Sequence, residues 1–299
     1  MATHSASLWK PRAEGEKVSL DALMGLRIQD VAGSYTDREA MLYALTVGLG
    51  RDPSNAKELP FVVEHGGLRT VPTLATVVGL TGLTQRAGLD FTKVVHAEQE
   101  LVFLAPLPPA ASLLSDSDIS RVVDKGEGKG AYVTTRTVVR DAGTGRPYFE
   151  SNSTILARGD GGIGSAGGAA PPAHEIPQRQ PDAVVVFQTR ADQGLWYRLN
   201  GDRNPLHTDA QAAARLGFPA PILHGLCTYG INCRAVLAAA CGYEPTRLAS
   251  FSVRFTQPVF IGETLTTELW LDGDVVSFRC RAAERNVVVI DRGHAKLKD

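Results

Sequence analysis

The sequence predicts an α+β protein made of two similar units, each an antiparallel sheet wrapped around an apolar helix. Three observations support this fold class. The two halves carry matched residues at a nearly constant offset, and each half has one apolar helical segment followed by a series of strands. A run rich in Gly, Ala and Pro at residues 159–181 divides the chain near its middle and can bury little surface. Two such units side by side are expected to form one continuous sheet.

The internal repeat rests on three places where the two halves can be aligned. Tyr43 and Leu45 match Tyr197 and Leu199 at an offset of 154, while Pro53 matches Pro205 and Ala105–Pro106 matches Gln257–Pro258 at an offset of 152. A nearly constant offset is expected from a duplicated unit. We therefore predict an N-terminal tail at 1–17, a first repeat at 18–158, a linker at 159–181 and a second repeat at 182–299.

The helices are predicted in the same order in both halves. A short helical segment comes first, at 37–48 and again at 191–200, and an apolar helix follows, at 73–86 and again at 223–241. Gly242 is typical of a residue that ends a helix.

Strands follow each apolar helix and are rich in β-branched residues. They are predicted at 94–104, 131–140 and 148–158 in the first half, and at 249–256, 264–271, 275–282 and 287–297 in the second. The segments 141–145 and 272–274 contain the Asp and Gly residues expected of hairpin turns.

The composition narrows the class of protein. The 299 residues include 31 Lys and Arg against 32 Asp and Glu, so a chain with no basic block is not expected to bind nucleic acid or a membrane. The four cysteines show no disulfide framework, and no apolar stretch is long enough to span a membrane. Residues 295–297 resemble a peroxisomal signal, but Lys298 and Asp299 follow them. We expect a cytoplasmic protein.

Two motifs that imply a cofactor or a metal are set aside. Gly162, Gly164 and Gly167 match the dinucleotide-binding pattern, but prolines follow where a phosphate-binding helix should run. His224 and Cys227 share one face of the predicted helix, with Cys233 nearby, but no further ligand is evident and zinc sites need three or four. We expect neither a cofactor nor a metal.

The most unusual polar run is 197–207, which holds Asp202, Asn204 and His207 within six residues. Pro205 keeps Asn204 out of the helical region, so the three side chains lie in a fixed loop. A carboxylate, an amide and an imidazole together can order a water and move its proton. The alternative is a turn capped by Asp and Asn beside a structural histidine.

Comparison of the two halves favours a catalytic role for Asp202 and His207 over a purely structural one. The first-half counterpart of Asp202 is Gly48 or Gly50, and that of His207 is Pro53 or Asn55. One copy is therefore equipped for catalysis and the other is free to bind.

Gly225 is predicted in the first turn of the second apolar helix, where backbone N–H groups have no intrahelical acceptor. With the positive end of the helix dipole, its N–H is suited to an oxyanion. The alternative is a glycine needed only for packing against the sheet.

The segment Tyr197 to Ala213 with its GDRNPLH core resembles the signature of the hydratase 2 family, within the wider group of MaoC-like dehydratases. The resemblance extends over nearly the whole chain from about residue 20. Further matched segments are 35–39, 42–48, 93–99, 104–108, 124–126, 222–230 and 253–259. It implies a double hot dog fold and (R)-specific hydration of 2-enoyl-CoA, as in the hydratase part of type 2 peroxisomal multifunctional enzymes.

The resemblance also implies that the first repeat, 18–158, is non-catalytic and binds the acyl chain, that the second, 182–299, is catalytic, and that single residues have particular roles. Asp202 and His207 would activate the water, Asn204 would help to orient it, and Gly225 would bind the thioester oxygen. Val71, Pro72, Lys93 and Phe255 stand where the family contacts acyl-CoA. Three departures, Asn200, Val71 and Ala97, touch packing and chain preference more than the catalytic pair.

We therefore predict reversible syn hydration of trans-2-enoyl-CoA to (3R)-3-hydroxyacyl-CoA, with coenzyme A present only as part of the substrate. Two alternatives remain open: a dehydratase of acyl-carrier-protein thioesters and a non-catalytic acyl-thioester binding subunit. The resemblance favours a homodimer.

Overall fold

The computed structural model describes residues 18–298, so the predicted tail at 1–17 lies outside the described residues. The α-helices are α1 (Leu20–Gly25), α2 (Asp37–Thr46), α3 (Gln193–Tyr197), α4 (Ala210–Arg215) and α5 (Gly225–Ala240). Short 3₁₀ helices lie at Leu59–Phe61, Pro72–Thr76, Thr84–Arg86, Phe91–Lys93, Arg198–Asn200, Pro205–His207 and Pro245–Arg247. None of the helices within 18–298 combines the length and apolar character that crossing a membrane requires.

The strands of the described chain form one sheet, as the sequence predicts. They are β1 (Arg27–Tyr35), β2 (Val94–Phe103), β3 (Ala111–Asp124), β4 (Ala131–Asp141), β5 (Pro147–Ala157), β6 (Ala183–Gln188), β7 (Leu248–Phe255), β8 (Thr264–Asp272), β9 (Val275–Ala282) and β10 (Val287–Leu297). Their hydrogen-bonded order is β1-β3-β4-β5-β2-β7-β10-β9-β8-β6. The neighbours β3–β4, β4–β5, β7–β10, β10–β9, β9–β8 and β8–β6 are antiparallel.

The chain divides into two compact units. Unit 1 comprises 18–34, 79–100 and 112–172, and unit 2 comprises 35–78, 101–111 and 173–298. Each unit takes several segments of the chain, and the domain boundaries drawn from the sequence stay a prediction.

Unit 1 contains much of the glycine-rich run. Ala166 forms a β-bridge with Val122 of β3, and the Asp124 carboxylate accepts the N–H groups of Gly162 and Gly164 at 2.9 and 2.8 Å. These hydrogen bonds lower the pKa of Asp124. Two glycines of the apparent nucleotide motif therefore donate their N–H groups within the fold.

Unit 2 is built around α5. The helix is buried over most of its length, and Asn232 on α5 accepts a hydrogen bond from Thr267 of β8 at 3.1 Å. The chain ahead of α5 is also tied to it, because buried Glu58 pairs with Arg234 at 2.6 Å. The long helix predicted at 223–241 is thus confirmed, with both ends within two residues.

The apolar helix predicted at 73–86 is wrong. A 3₁₀ turn, Pro72–Thr76, starts the segment, and Gly79 and Gly82 then both adopt φ +70°. Left-handed backbone cannot continue a right-handed helix, so the segment leaves helical geometry. Apolar residues at the right spacing do not outweigh these two glycines.

Three first-half glycines, Gly48, Gly50 and Gly79, lie where a side chain would meet a neighbouring one. A Cβ on Gly48 would overlap the Phe187 ring, one on Gly50 would lie 2.8 Å from Val62, and one on Gly79 would lie 2.8 Å from Val139. Close contact at these three positions explains the absence of side chains there by packing alone. Acyl-chain binding by the first half stays a prediction.

Candidate active site

The predicted polar loop is shaped by its own side chains. Gly201 ends the turn Arg198–Asn200 with φ +118°, a conformation that L side chains rarely adopt. Asp202 Oδ1 accepts the Asn204 N–H at 3.1 Å, and Asn204 Oδ1 accepts the Leu206 N–H at 3.0 Å and so caps the turn Pro205–His207. Asn204 therefore has a structural task, and its role in orienting a water stays a prediction.

His207 is buried and held in one orientation. Its Nδ1 lies 2.8 Å from the carbonyl oxygen of Ile222. Because a carbonyl oxygen only accepts, Nδ1 carries the hydrogen and Nε2 presents a lone pair. Burial lowers the pKa of His207, although the Ile222 carbonyl and Asp202 act in the opposite direction. At neutral pH the ring is an uncharged base.

Asp202 and His207 face each other across a short gap. Asp202 Oδ2 lies 3.9 Å from His207 Nε2, and the carboxylate is half-exposed while the imidazole is almost fully buried. The gap is too long for a direct hydrogen bond, but both atoms can contact one small molecule such as a water. A proton acceptor and a negative charge therefore converge on one point.

Gly225 opens α5, as the sequence predicts. A Cβ built on it would lie 3.5 Å from the Phe255 ring, so the structure brings together the predicted oxyanion donor and one predicted substrate contact. The N–H is in the first helical turn and has no acceptor four residues earlier in the helix. The bare backbone beside an aromatic ring is accessible to a flat group such as a thioester.

Three further residues, Val71, Pro72 and Lys93, were predicted to contact the substrate. Val71 and Pro72 are both buried in unit 2, at the start of the 3₁₀ turn Pro72–Thr76. Pro72 also lines a cavity of about 190 Å³, together with Leu68, Arg69, Phe103, Leu107, Glu244 and Lys298. Lys93 lies in unit 1, where its Nζ pairs with the Asp90 carboxylate at 3.1 Å. The role of each in binding substrate stays a prediction.

Sequence reasoning missed the contribution of His224 to this site. His224 precedes Gly225, and its ring stacks on His207 with centroids 3.7 Å apart. Its Nε2 lies 3.2 Å from the backbone oxygen of Asp202. The signal in the sequence is that His224 directly precedes Gly225 at the start of the apolar helix.

Asp202, His207 and His224 each offer one ligand atom, and these atoms lie within 4.8 Å of one another. This is a different grouping from the His224 and cysteine set considered above. Burial raises the pKa of both Cys227 and Cys233, the latter to about 12, so neither is a thiolate at neutral pH. The expectation that the protein uses no metal stays a prediction.

Comparison with known proteins identifies the family. The model of the MFE-2 hydratase 2 N-terminal domain matches residues 34–159, and that of the MaoC like domain matches residues 172–292. The chain is 43% identical over 242 residues to 3-hydroxyacyl-thioester dehydratase Y of Mycobacterium tuberculosis, a match that covers 79% of this chain and 82% of that protein. The chain belongs to the MaoC-like dehydratases of hydratase 2 type.

Two further comparisons agree. This MaoC-like dehydratase is 35% identical over 288 residues to the peroxisomal enoyl-CoA hydratase 2 of Arabidopsis thaliana, covering 90% and 93% of the two chains. The structure of full-length peroxisomal multifunctional enzyme type 2 from Drosophila melanogaster aligns at a TM-score of 0.79 and 36% identity over 92% of this chain, which spans 49% of that protein.

The fold comparison confirms the predicted architecture. A Mycobacterium tuberculosis protein described as a double hotdog fold aligns with 91% of this MaoC-like dehydratase at a TM-score of 0.54 and 18% identity. At that identity the likeness concerns the fold alone. The double hot dog that the sequence resemblance implies is therefore the fold of this chain.

Proposed function

We propose that the protein catalyses reversible hydration of trans-2-enoyl-CoA to (3R)-3-hydroxyacyl-CoA. The observation that carries the proposal is that Asp202 Oδ2 and the lone pair of His207 Nε2, 3.9 Å apart, can both contact one water. His224 joins this pair to the start of α5, because its side chain reaches Asp202 and the next residue is Gly225. Acid–base groups beside a helix N-terminus suit addition of water to a polarised double bond.

The mechanism follows from where charge develops. Water oxygen bonds to C3 of the enoyl thioester while His207 Nε2 takes a proton from that water, and Asp202 stabilises the imidazolium that forms. Negative charge moves through the double bond to the thioester oxygen, where the Gly225 N–H donates to it. C2 then receives a proton from the pair, on the same face, and the double bond has gained one water.

The reaction balances with water and the thioester alone. We therefore propose that the protein uses no redox cofactor and no metal, and that coenzyme A enters only as part of the substrate. Removing one preorganised oxyanion donor typically costs about 3 to 4 kcal/mol of barrier, and a positioned general base contributes about 10²- to 10⁴-fold in rate. Both effects are needed to account for efficient turnover.

The proposal and its nearest alternative differ in what carries the acyl group, coenzyme A or an acyl carrier protein. The 43% identical relative is named a 3-hydroxyacyl-thioester dehydratase, a name that leaves open which thioester is used. The same site run in reverse would dehydrate an acyl-carrier-protein thioester. A non-catalytic binding subunit is less well supported, because such a subunit has no need for a His207 held with its Nε2 lone pair towards a carboxylate.

Two further features belong to the proposal. We propose a homodimer, which light scattering after gel filtration would test. We also propose a cytoplasmic location, with which the four free, buried cysteines agree. Fractionation of cells that produce the tagged protein would test the location.

The decisive assay follows loss of enoyl absorbance with crotonyl-CoA, trans-2-decenoyl-CoA and the crotonyl ester of an acyl carrier protein. We expect turnover of the CoA thioesters and a fall of at least about 100-fold for His207→Ala, since the general base is lost. Turnover of the carrier-protein ester alone would favour the dehydratase alternative. No turnover by folded wild-type protein would favour the binding subunit.

A further inference from the structure

His224 connects the parts of the proposed active site. The residue is buried, lies immediately before α5, and its ring contacts Tyr197 at 5.0 Å as well as stacking on His207 at 3.7 Å. Two residues earlier, Ile222 supplies the carbonyl that holds His207 Nδ1. The stretch 222–225 therefore contacts the base, contacts the loop that carries the carboxylate, and supplies the oxyanion donor.

The direction of the His224 hydrogen bond is fixed by chemistry. Its partner at Nε2 is the backbone oxygen of Asp202, 3.2 Å away, and a carbonyl oxygen only accepts. His224 therefore carries its hydrogen on Nε2 and leaves Nδ1 as an acceptor. Nδ1 is buried and has no hydrogen-bond partner among the described residues. The bond to Asp202 is thus the one hydrogen bond recorded for this side chain in the described structure.

The ring also has a suitable charge state for this place. Burial, and then the nearby His207, lower the pKa of His224 to about 4. At neutral pH the ring is uncharged, so it does not repel the positive charge that His207 acquires when it takes a proton from water. A second charged ring at 3.7 Å would oppose that step.

The loop that His224 holds needs such support. Residues 201–205 are all exposed, and the hydrogen bonds of the Asp202 and Asn204 side chains run within the loop itself. The His224 bond ties the Asp202 backbone to the buried start of α5. If the loop moved by 1 Å, the Asp202 carboxylate would no longer be placed correctly beside His207 Nε2, and a misplacement of this size can lower a rate about 100-fold.

We propose that His224 is a positioning residue of the hydratase, whose Nε2–H holds the Asp202 loop in register with His207 and the Gly225 N–H. The inference rests on the proposed function, because it assigns His224 a task in that reaction. It also makes a structural claim that is independent of turnover, namely that the Nε2–H restrains the loop 201–204.

Two substitutions separate the donor from the bulk of the ring. In His224→Gln the amide nitrogen falls near the position of the imidazole Nε2 and can donate to the Asp202 carbonyl. In His224→Asn the amide matches the Nδ1 position and is too short to reach it. The two variants lose the same ring and differ in the donor, so they form a matched pair.

The experiment measures kcat and KM with crotonyl-CoA, the pH profile of kcat, and amide hydrogen exchange of the peptide that covers 201–204. For His224→Asn we expect kcat to fall about 10- to 100-fold with KM within about threefold, and exchange in the loop to rise about tenfold. His224→Gln is expected to keep kcat within about fivefold of wild type, with a wild-type pH profile and slow exchange.

Each remaining outcome decides the question. If folded His224→Asn keeps wild-type kcat and loop exchange, or if both variants lose them equally, the donor role is wrong. A lower melting temperature with unchanged kcat and exchange would show a purely structural histidine. If wild type does not turn over any enoyl-CoA but the exchange pattern is as expected, the proposed function fails while the role of His224 in holding the loop stands.

Discussion

Replacing Asp202 by Asn tests the electrostatic part of the mechanism with little disturbance of the loop. Asn retains an oxygen for the Asn204 N–H, which Asp202 Oδ1 accepts at 3.1 Å. It removes the negative charge that lies 3.9 Å from His207 Nε2. The fold should tolerate the change because the carboxylate is half-exposed.

The expected magnitude follows from Coulomb's law. A unit negative charge 3.9 Å from the forming imidazolium is worth about 4 kcal/mol at an effective dielectric constant of about 20 and about 1 kcal/mol in bulk water. The half-exposed carboxylate lies between these limits, and we take about 2 to 3 kcal/mol. This corresponds to a fall in kcat of about 30- to 150-fold.

Asp209→Asn is the matched control for Asp202→Asn. Asp209 caps α4 by accepting the N–H groups of Gln211 and Ala212 at 2.7 and 3.2 Å, and Asn is an equally good cap. For this control, the initial rate with crotonyl-CoA should stay within about threefold of wild type, and the melting temperature within a few degrees. If Asp202→Asn keeps wild-type kcat, or if the control loses as much, the charge at Asp202 does not do what we infer.

Three other predictions concern pH, packing and metal. Burial lowers the pKa of His207, and only the neutral ring is a base. We therefore expect kcat/KM to be constant near neutral pH and to fall with acid only below the ordinary histidine pKa of about 6.5. A rate that rises on acidification would contradict this. Gly230→Ala should lower the free energy of unfolding by about 1 to 3 kcal/mol, because its Cβ would lie 2.5 Å from Val47 and 2.9 Å from the Tyr43 hydroxyl. Gly225→Ala, whose Cβ would lie 3.5 Å from Phe255, should melt near the wild-type temperature, and equal melting of both variants would refute the packing argument. Dialysis against EDTA should leave kcat unchanged and metal analysis should find less than about 0.1 equivalent, whereas loss of activity restored by zinc would make Asp202, His207 and His224 a metal site.

The sequence predicted the second half of the fold closely. The helix expected at 223–241 is Gly225–Ala240, and the four strands after it begin and end within a residue or so of the predicted positions. A long uninterrupted apolar helix, β-branched strands and the Asp-Gly turn at 272–274 give strong local signals. Long-range packing therefore changed little of what the local sequence predicts in the second half.

The missed strands carried weaker signals. β3 spans Ala111–Asp124, and its buried residues alternate with less buried ones over much of its length. Several of those positions are Ser or Asp rather than the β-branched and aromatic residues that strands favour, so the composition of the segment did not predict a strand. β6, Ala183–Gln188, is a short apolar segment of six residues that closely follows the proline-rich run, and no strand was predicted there.

There is a physical reason why only part of the site could be predicted from the sequence. Asp202, Asn204 and His207 are close in sequence, so a rigid loop was enough to group them. His224 comes 22 positions after Asp202, and only the fold brings its Nε2 to the Asp202 carbonyl. Lone histidines on apolar helices are more often structural, and the sequence offered no second residue near His224 that pointed to the loop.

Chiral analysis of the product formed from crotonyl-CoA by wild type and Asp202→Asn tests the central claim most directly. We expect (3R)-3-hydroxybutyryl-CoA from wild type, and the same enantiomer at a rate about 30- to 150-fold lower from Asp202→Asn. The (3S) enantiomer, or wild-type rates of (3R) product from Asp202→Asn, would contradict addition of water at the Asp202 and His207 pair.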